Sequence, residues 1–183
     1  MKLVLTKEEM LKRRRIAGGF EPLRTDCTVE DTAGVDIDAV LESELRAKYL
    51  HLLDHGPIEM LAADEVAAST AVTDYVDGGS LLKVPPECRR VLSVRLSGWL
   101  RESPVLPDGE YARVIALQRN RFTASGSASP VAVCCPDGRI AAWPGAPHAQ
   151  QVIAIVDPGP DTYILDDAAL PYLFNYELEN YEL

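Results

Sequence analysis

The sequence predicts an α+β fold: an N-terminal helical part, an inserted and largely antiparallel β part, and a short C-terminal helix or strand. Three observations carry this. Apolar residues recur every three or four positions over 36–55, they recur every second position after residue 66, and glycine and proline turns punctuate the second region. The 183 residues are 47% apolar, enough for one ordinary core. Residues 1–183 are therefore read as a single domain with three sub-regions: a helical part with an arm (1–66), a β part (67–160) and a C-terminal interaction segment (161–183).

In chain order, Thr6 followed by Glu8, Glu9, Met10 and Leu11 predicts an N-capped helix of about two turns that ends at Gly18-Gly19. Residues 20–34 lack an apolar period and form a loop or arm. The helix over 36–55 is capped by Asp36 or Asp38, carries Ile37, Leu41, Leu45, Tyr49, Leu52 and Leu53 on one stripe, and stops at Gly56-Pro57. Residues 70–76 and 80–84 flank Asp77-Gly78-Gly79 as a hairpin, since glycine supplies the positive φ of tight turns. Leu92, Val94 and Leu96 alternate with polar residues as a strand with one buried face, and Trp99 anchors the β part at its end. A second hairpin spans 130–143 around Pro136-Asp137-Gly138, and residues 151–156 form another strand. Residues 110–120 suit a short helix, while 123–129 (TASGSAS) has no apolar anchor and reads as a mobile surface loop. Asp157-Pro158-Gly159-Pro160-Asp161 is a rigid turn.

The composition restricts the function classes. A net charge of −10 opposes binding to a nucleic-acid backbone, and the basic run Lys12-Arg13-Arg14-Arg15 reads as a solvated helix face. No stretch approaches the ~18 apolar residues that span a bilayer, and the first residues lack a signal-type apolar core, so neither membrane insertion nor secretion is expected. Cys27, Cys88, Cys134 and Cys135 fit no disulfide framework and read as reduced thiols in a cytosolic setting. His51 and His55 share a helix face, but the glutamate of a zinc-peptidase motif is missing and His148 belongs to another segment. Cys134-Cys135 lies in an apolar strand without an activating cation, and no nucleophile elbow or phosphate-binding glycine loop occurs. The expectation is a protein that is not an enzyme, with no catalytic residue, cofactor or metal.

One region carries a resemblance. The run from Val84 through PPECRRVLSVRLSGWLR to Glu102, then Tyr111 through QRNRFT to Ala124, then Ser129-Pro-Val-Ala-Val133, resembles structural proteins of phage and prophage gene clusters. More distantly it resembles the head-to-tail adaptors of short-tailed phages, the tail tubular protein A-like group. There a helical N-terminal part precedes an inserted β part that begins with a proline-led strand, and helices close the chain. The resemblance implies a virion protein assembled in the bacterial cytoplasm as a homo-oligomeric ring, commonly a dodecamer of about twelve subunits. It would dock to portal and tail or neck proteins, and DNA would pass through an acidic lumen without specific binding. The competing expectation is a cytosolic protein-binding module without catalytic activity.

The C-terminal segment is the expected interface. Tyr172, Phe174, Tyr176, Leu178 and Tyr181 concentrate aromatic surface near the chain end, where a small domain has difficulty covering it. Asp166 or Asp167 can cap a helix there, with Pro171 tolerable in its first turn, and the alternation of Phe174, Tyr176 and Leu178 equally suits a strand.

Overall fold

The computed structural model describes residues 2–18 and 37–174. Its elements are β1 (Lys2–Thr6), α1 (Lys7–Ala17), α2 (Ile37–His55), β2 (Ala63–Glu65), β3 (Ala71–Tyr75), β4 (Gly79–Lys83), β5 (Cys88–Leu96), β6 (Ser103–Leu106), α3 (Tyr111–Gln118), β7 (Val131–Cys134), β8 (Ile140–Trp143), β9 (Ala149–Val156), β10 (Thr162–Asp166) and α4 (Leu170–Phe174), joined in places by single 3-10 turns. This is an α+β fold. It forms two compact units: a terminal unit of residues 1–62 and 157–183, and an inserted unit of residues 63–156. The unit boundaries fall at 62/63 and 156/157, where the sub-regions expected from sequence divide at 66/67 and 160/161.

In the terminal unit, β1 and β10 pair antiparallel from Lys2 opposite Asp166 to Thr6 opposite Thr162. Two short strands make a marginal ribbon alone. Helices supply the apolar surface it needs: Leu41, Leu45, Tyr49, Leu52 and Leu53 of α2 are buried, as are Met10 of α1 and Leu173 of α4, together with Leu5, Tyr163 and Leu165 of the ribbon. Thr6 closes β1 and opens α1 with a capping box, its hydroxyl accepting from the Glu9 amide (3.3 Å) while the Glu9 carboxylate accepts from the Thr6 amide (2.9 Å). The Tyr49 hydroxyl fills the outer edge of β10, donating to the Ile164 carbonyl (3.1 Å) and accepting from the Ile164 amide (3.0 Å).

Three expectations are corrected here. The first helix has 11 residues, about three turns, because the capping box starts it directly after β1. Residues 1–66 are not purely helical, since β1 and β2 lie within them; a five-residue strand such as β1 is too short for its alternation to stand out. The basic run is not wholly a solvated face: Arg14 lies four residues after buried Met10, on the same face, and is itself fully buried, while Arg15 pairs with Asp38.

The inserted unit is an eight-stranded sheet ordered β2-β9-β5-β6-β7-β8-β4-β3. Every pairing is antiparallel except β6 with β7. Both faces of its central strands are buried. On one face Leu82, Val94, Leu96, Trp99, Ala132, Ile140, Ala142 and Val152 pack together, bringing side chains from both halves of the sheet into one cluster. On the other, Leu81, Val133, Cys135, Ala141 and Trp143 pack under Val114 of α3. The run Ile140-Ala-Ala-Trp143 is therefore buried at every position, as strands covered on both sides are.

The Asp77-Gly78 turn places both residues at positive φ (55° and 71°), and Gly98 (83°) turns the chain after β5 so that the Trp99 amide reaches the Leu96 carbonyl (3.1 Å). Trp99 is buried and its indole N–H donates to the Pro144 carbonyl (2.8 Å). Residues 123–129 are exposed but tied down, against the expectation of a mobile loop. Ser125 and the Gln118 side chain exchange two hydrogen bonds (2.8 and 3.1 Å), and the Ser127 carbonyl accepts from the Leu100 amide (2.9 Å). The arm over 20–34 lies outside the described residues.

Candidate interaction surfaces

The expected C-terminal interface divides at Phe174. The Asp166 carboxylate accepts from the Ala168 amide (3.2 Å) and so starts a 3-10 turn that runs into α4, with Pro171 in the first turn of the helix. Over 170–174 the helical alternative is therefore the one adopted. Tyr172 and Phe174 are half-buried, whereas Leu173 between them is a core residue. Tyr176, Leu178 and Tyr181 lie outside the described residues. Arg14 holds the point where the chain leaves α4: its guanidinium donates to the Phe174 carbonyl (3.0 Å) and pairs with Glu44 (3.2 Å). Sequence spacing signals this through the interval from Met10 to Arg14, which sets the arginine on the buried face.

Charge is divided unevenly between the units. The inserted unit contains nine acidic and nine basic residues and is neutral, whereas the terminal unit contains nineteen acidic and nine basic residues and carries the entire net charge of −10. Several of the terminal unit's cations are already spent in ion pairs, Lys7 with Glu42, Arg14 with Glu44, Arg15 with Asp38 and Arg46 with Asp157. The field around that unit is accordingly negative.

The inserted unit presents a different surface, which the sequence reading did not single out as an interface. The end of α3, the turn 119–122 and the loop 123–129 are joined by the Gln118–Ser125 bonds and by the Thr123 hydroxyl, which donates to the Leu117 carbonyl (2.7 Å). The Leu100–Ser127 bond and an Arg101 donation to the Ser129 hydroxyl (3.0 Å) bring the segment after Trp99 to the same place. Phe122, 81% exposed, and Leu100, 72% exposed, stand out here beside the partly exposed Leu117. The Arg121 guanidinium covers one face of the Phe122 ring at 4.6 Å. Arg119 pairs with Asp77 (3.4 Å), while among the described residues Arg101 and Arg121 have no ion-pair partner.

The groups that sequence reading weighed for chemistry are placed as follows. His51 and His55 are exposed on α2 with ring centroids 4.9 Å apart, and no group of three metal-ligating side chains occurs among the described residues. Cys88, Cys134 and Cys135 are free thiols, and burial pushes all three above the ordinary thiol range, with Glu87, Asp108 and Asp137 respectively adding to the effect. That is the reverse of thiolate activation. A concavity of about 330 Å³ beside Tyr75 and Gly145 has Asp74 as its one lining carboxylate.

Fold and surfaces thus define an α+β protein of two units, one acidic and built from both chain ends, the other neutral with an exposed aromatic and arginine tip. No family model matches the chain, and no curated protein matches it.

Proposed function

We propose that the chain is a non-catalytic virion assembly protein, a subunit of a head-to-tail connector or adaptor ring that docks to portal and tail. The observation that supports this reading best is the plan of the chain. Both ends build one helix-rich unit and a β unit is inserted between them, as the resemblance over 84–133 implies, although that unit opens at Ala63 with β2, β3 and β4 ahead of the proline-led strand β5. The acidity of the terminal unit suits a surface that DNA passes without adhering.

The test is the mass of the purified full chain, by light scattering and native mass spectrometry, with negative-stain images of the particles. A closed ring of many copies is expected; a monomer at every concentration tried refutes the proposal. A chain truncated after Phe174 probes the C-terminal segment, because it keeps Leu173 in the core and leaves Arg14 an oxygen acceptor on Phe174, now the terminal carboxylate. It should fold with an unchanged far-UV spectrum yet fail to assemble. Normal assembly of this truncation removes Tyr176, Leu178 and Tyr181 from the interface.

A further inference from the structure

We infer that the loop end of the inserted unit docks onto the same end of a second copy of this chain, the Phe122 ring of each copy entering the concavity beside Tyr75 and Gly145 of the other. The inference does not rest on the ring reading: it names a two-fold contact that joins two chains, or two rings where rings form. Four loops meet at this end and are bonded into one circuit. The Gly145 amide donates to the Gly78 carbonyl (2.7 Å), the Trp99 indole to the Pro144 carbonyl, the Leu100 amide to the Ser127 carbonyl, and Arg119 pairs with Asp77. All four large apolar side chains that the inserted unit exposes, Val76, Leu100, Leu117 and Phe122, are on these loops or on the last turn of α3 that leads into them. Single exposed apolar side chains are ordinary, whereas four gathered on one frame mark an interaction surface. The frame is preorganised, so docking it costs little ordering entropy.

This end carries both a knob and a hole. Phe122 is the most exposed of the four apolar side chains, with Arg121 against its ring at 4.6 Å. The concavity of about 330 Å³ is walled by Tyr75, Gly79, Gly145 and Pro147 and has room for a phenyl ring, and its one carboxylate is Asp74. A ring seated there brings Arg121 to Asp74. Asp74 is exposed and, like Arg121, has no ion-pair partner among the described residues. An aromatic anchor in a pocket with an arginine beside it is the composition of an interface hot spot. A two-fold contact requires a patch that complements itself, and two such ends face to face supply two knobs and two holes. The inserted unit has nine acidic and nine basic residues, so no net charge holds two copies of it apart.

The experiment compares the full chain with Phe122→Ser, Arg121→Glu and Asp74→Arg, three exposed positions. Each variant should keep the wild-type far-UV spectrum and sediment at half the wild-type mass. Mixing Arg121→Glu with Asp74→Arg should restore the full mass, because both halves of the mixed contact then pair opposite charges. A photo-reactive benzoylphenylalanine in place of Phe122, in a mixture of isotope-labelled and unlabelled chains, should cross-link to peptides within 71–79 or 144–148 of the other copy. If the variants keep the wild-type mass, if the mixture stays at the halved mass, or if the cross-links fall elsewhere or within one chain, the inference is overturned, and a ring that survives these changes leaves the ring reading standing. A wild type that is a dimer without a ring, and whose variants are monomers, refutes the ring reading and upholds this inference. A wild type that is monomeric at every concentration tried overturns both.

Discussion

Replacing Tyr49 by phenylalanine isolates one hydroxyl on which the terminal unit depends. The Tyr49 oxygen is the partner of both the Ile164 amide (3.0 Å) and the Ile164 carbonyl (3.1 Å), on the β10 edge that β1 does not use, and the residue is fully buried. Phenylalanine preserves the packing against Tyr163, whose ring lies 4.9 Å away, but leaves two backbone groups without their partner. At roughly 1 kcal/mol for each hydrogen bond, with a further penalty for the stranded groups, Tyr49→Phe should cost about 2–3 kcal/mol near neutral pH. For a chain of this length that lowers Tm by roughly 5–10 °C.

The loss carries a pH signature. Burial, the largest cause, pushes the Tyr49 phenol up to about 12. An unfolded tyrosine ionises near pH ~10. Its folded-state preference for the neutral form is therefore a contribution fully present below about pH 10 and lost as the pH climbs towards 12, about 2–3 kcal/mol in all. Phenylalanine has nothing to titrate, so wild type and variant should converge in that window. Urea unfolding followed by circular dichroism, at neutral pH and in steps above about pH 10, measures the gap directly. A gap that stays constant through the alkaline range, or no gap at neutral pH, would falsify the assignment of Tyr49 as the neutral partner of Ile164.

Two further substitutions test the inserted unit. Trp99→Ala empties a buried indole site and strands the Pro144 carbonyl, so it should cost about 3–5 kcal/mol; unchanged thermal stability would contradict the burial of this side chain. In Gly79→Ala, the new methyl would run into Nε1 of Trp143, whose indole is itself buried and donates to the Val76 carbonyl (3.2 Å). A loss of about 1–3 kcal/mol is expected, with a change in tryptophan fluorescence, whereas Gly109→Ala, which meets no neighbour within 4 Å, serves as the neutral control.

What could be read from the sequence was whatever a local pattern encodes. The α2 stripe, the two hairpin turns, the β5 alternation and the α3 segment each announce themselves within a dozen residues, through a period or through glycine at a turn. Strands β1 and β10 have five residues each and sit at opposite ends of the chain, so neither shows a decisive period and nothing local reveals that they pair. For Arg14 the four-residue interval from Met10 marks the buried face, but only the fold brings Glu44 and the Phe174 carbonyl within its reach. The aromatic and arginine tip was visible as letters, RNRF, but letters do not report exposure: Trp99 and Leu100 are adjacent, and one is buried while the other is 72% exposed. Burial depends on which segments the topology stacks over a residue. For Trp99 these segments include Ala132, Ile140 and Ala142 and the loop at Pro144, tens of positions away along the chain.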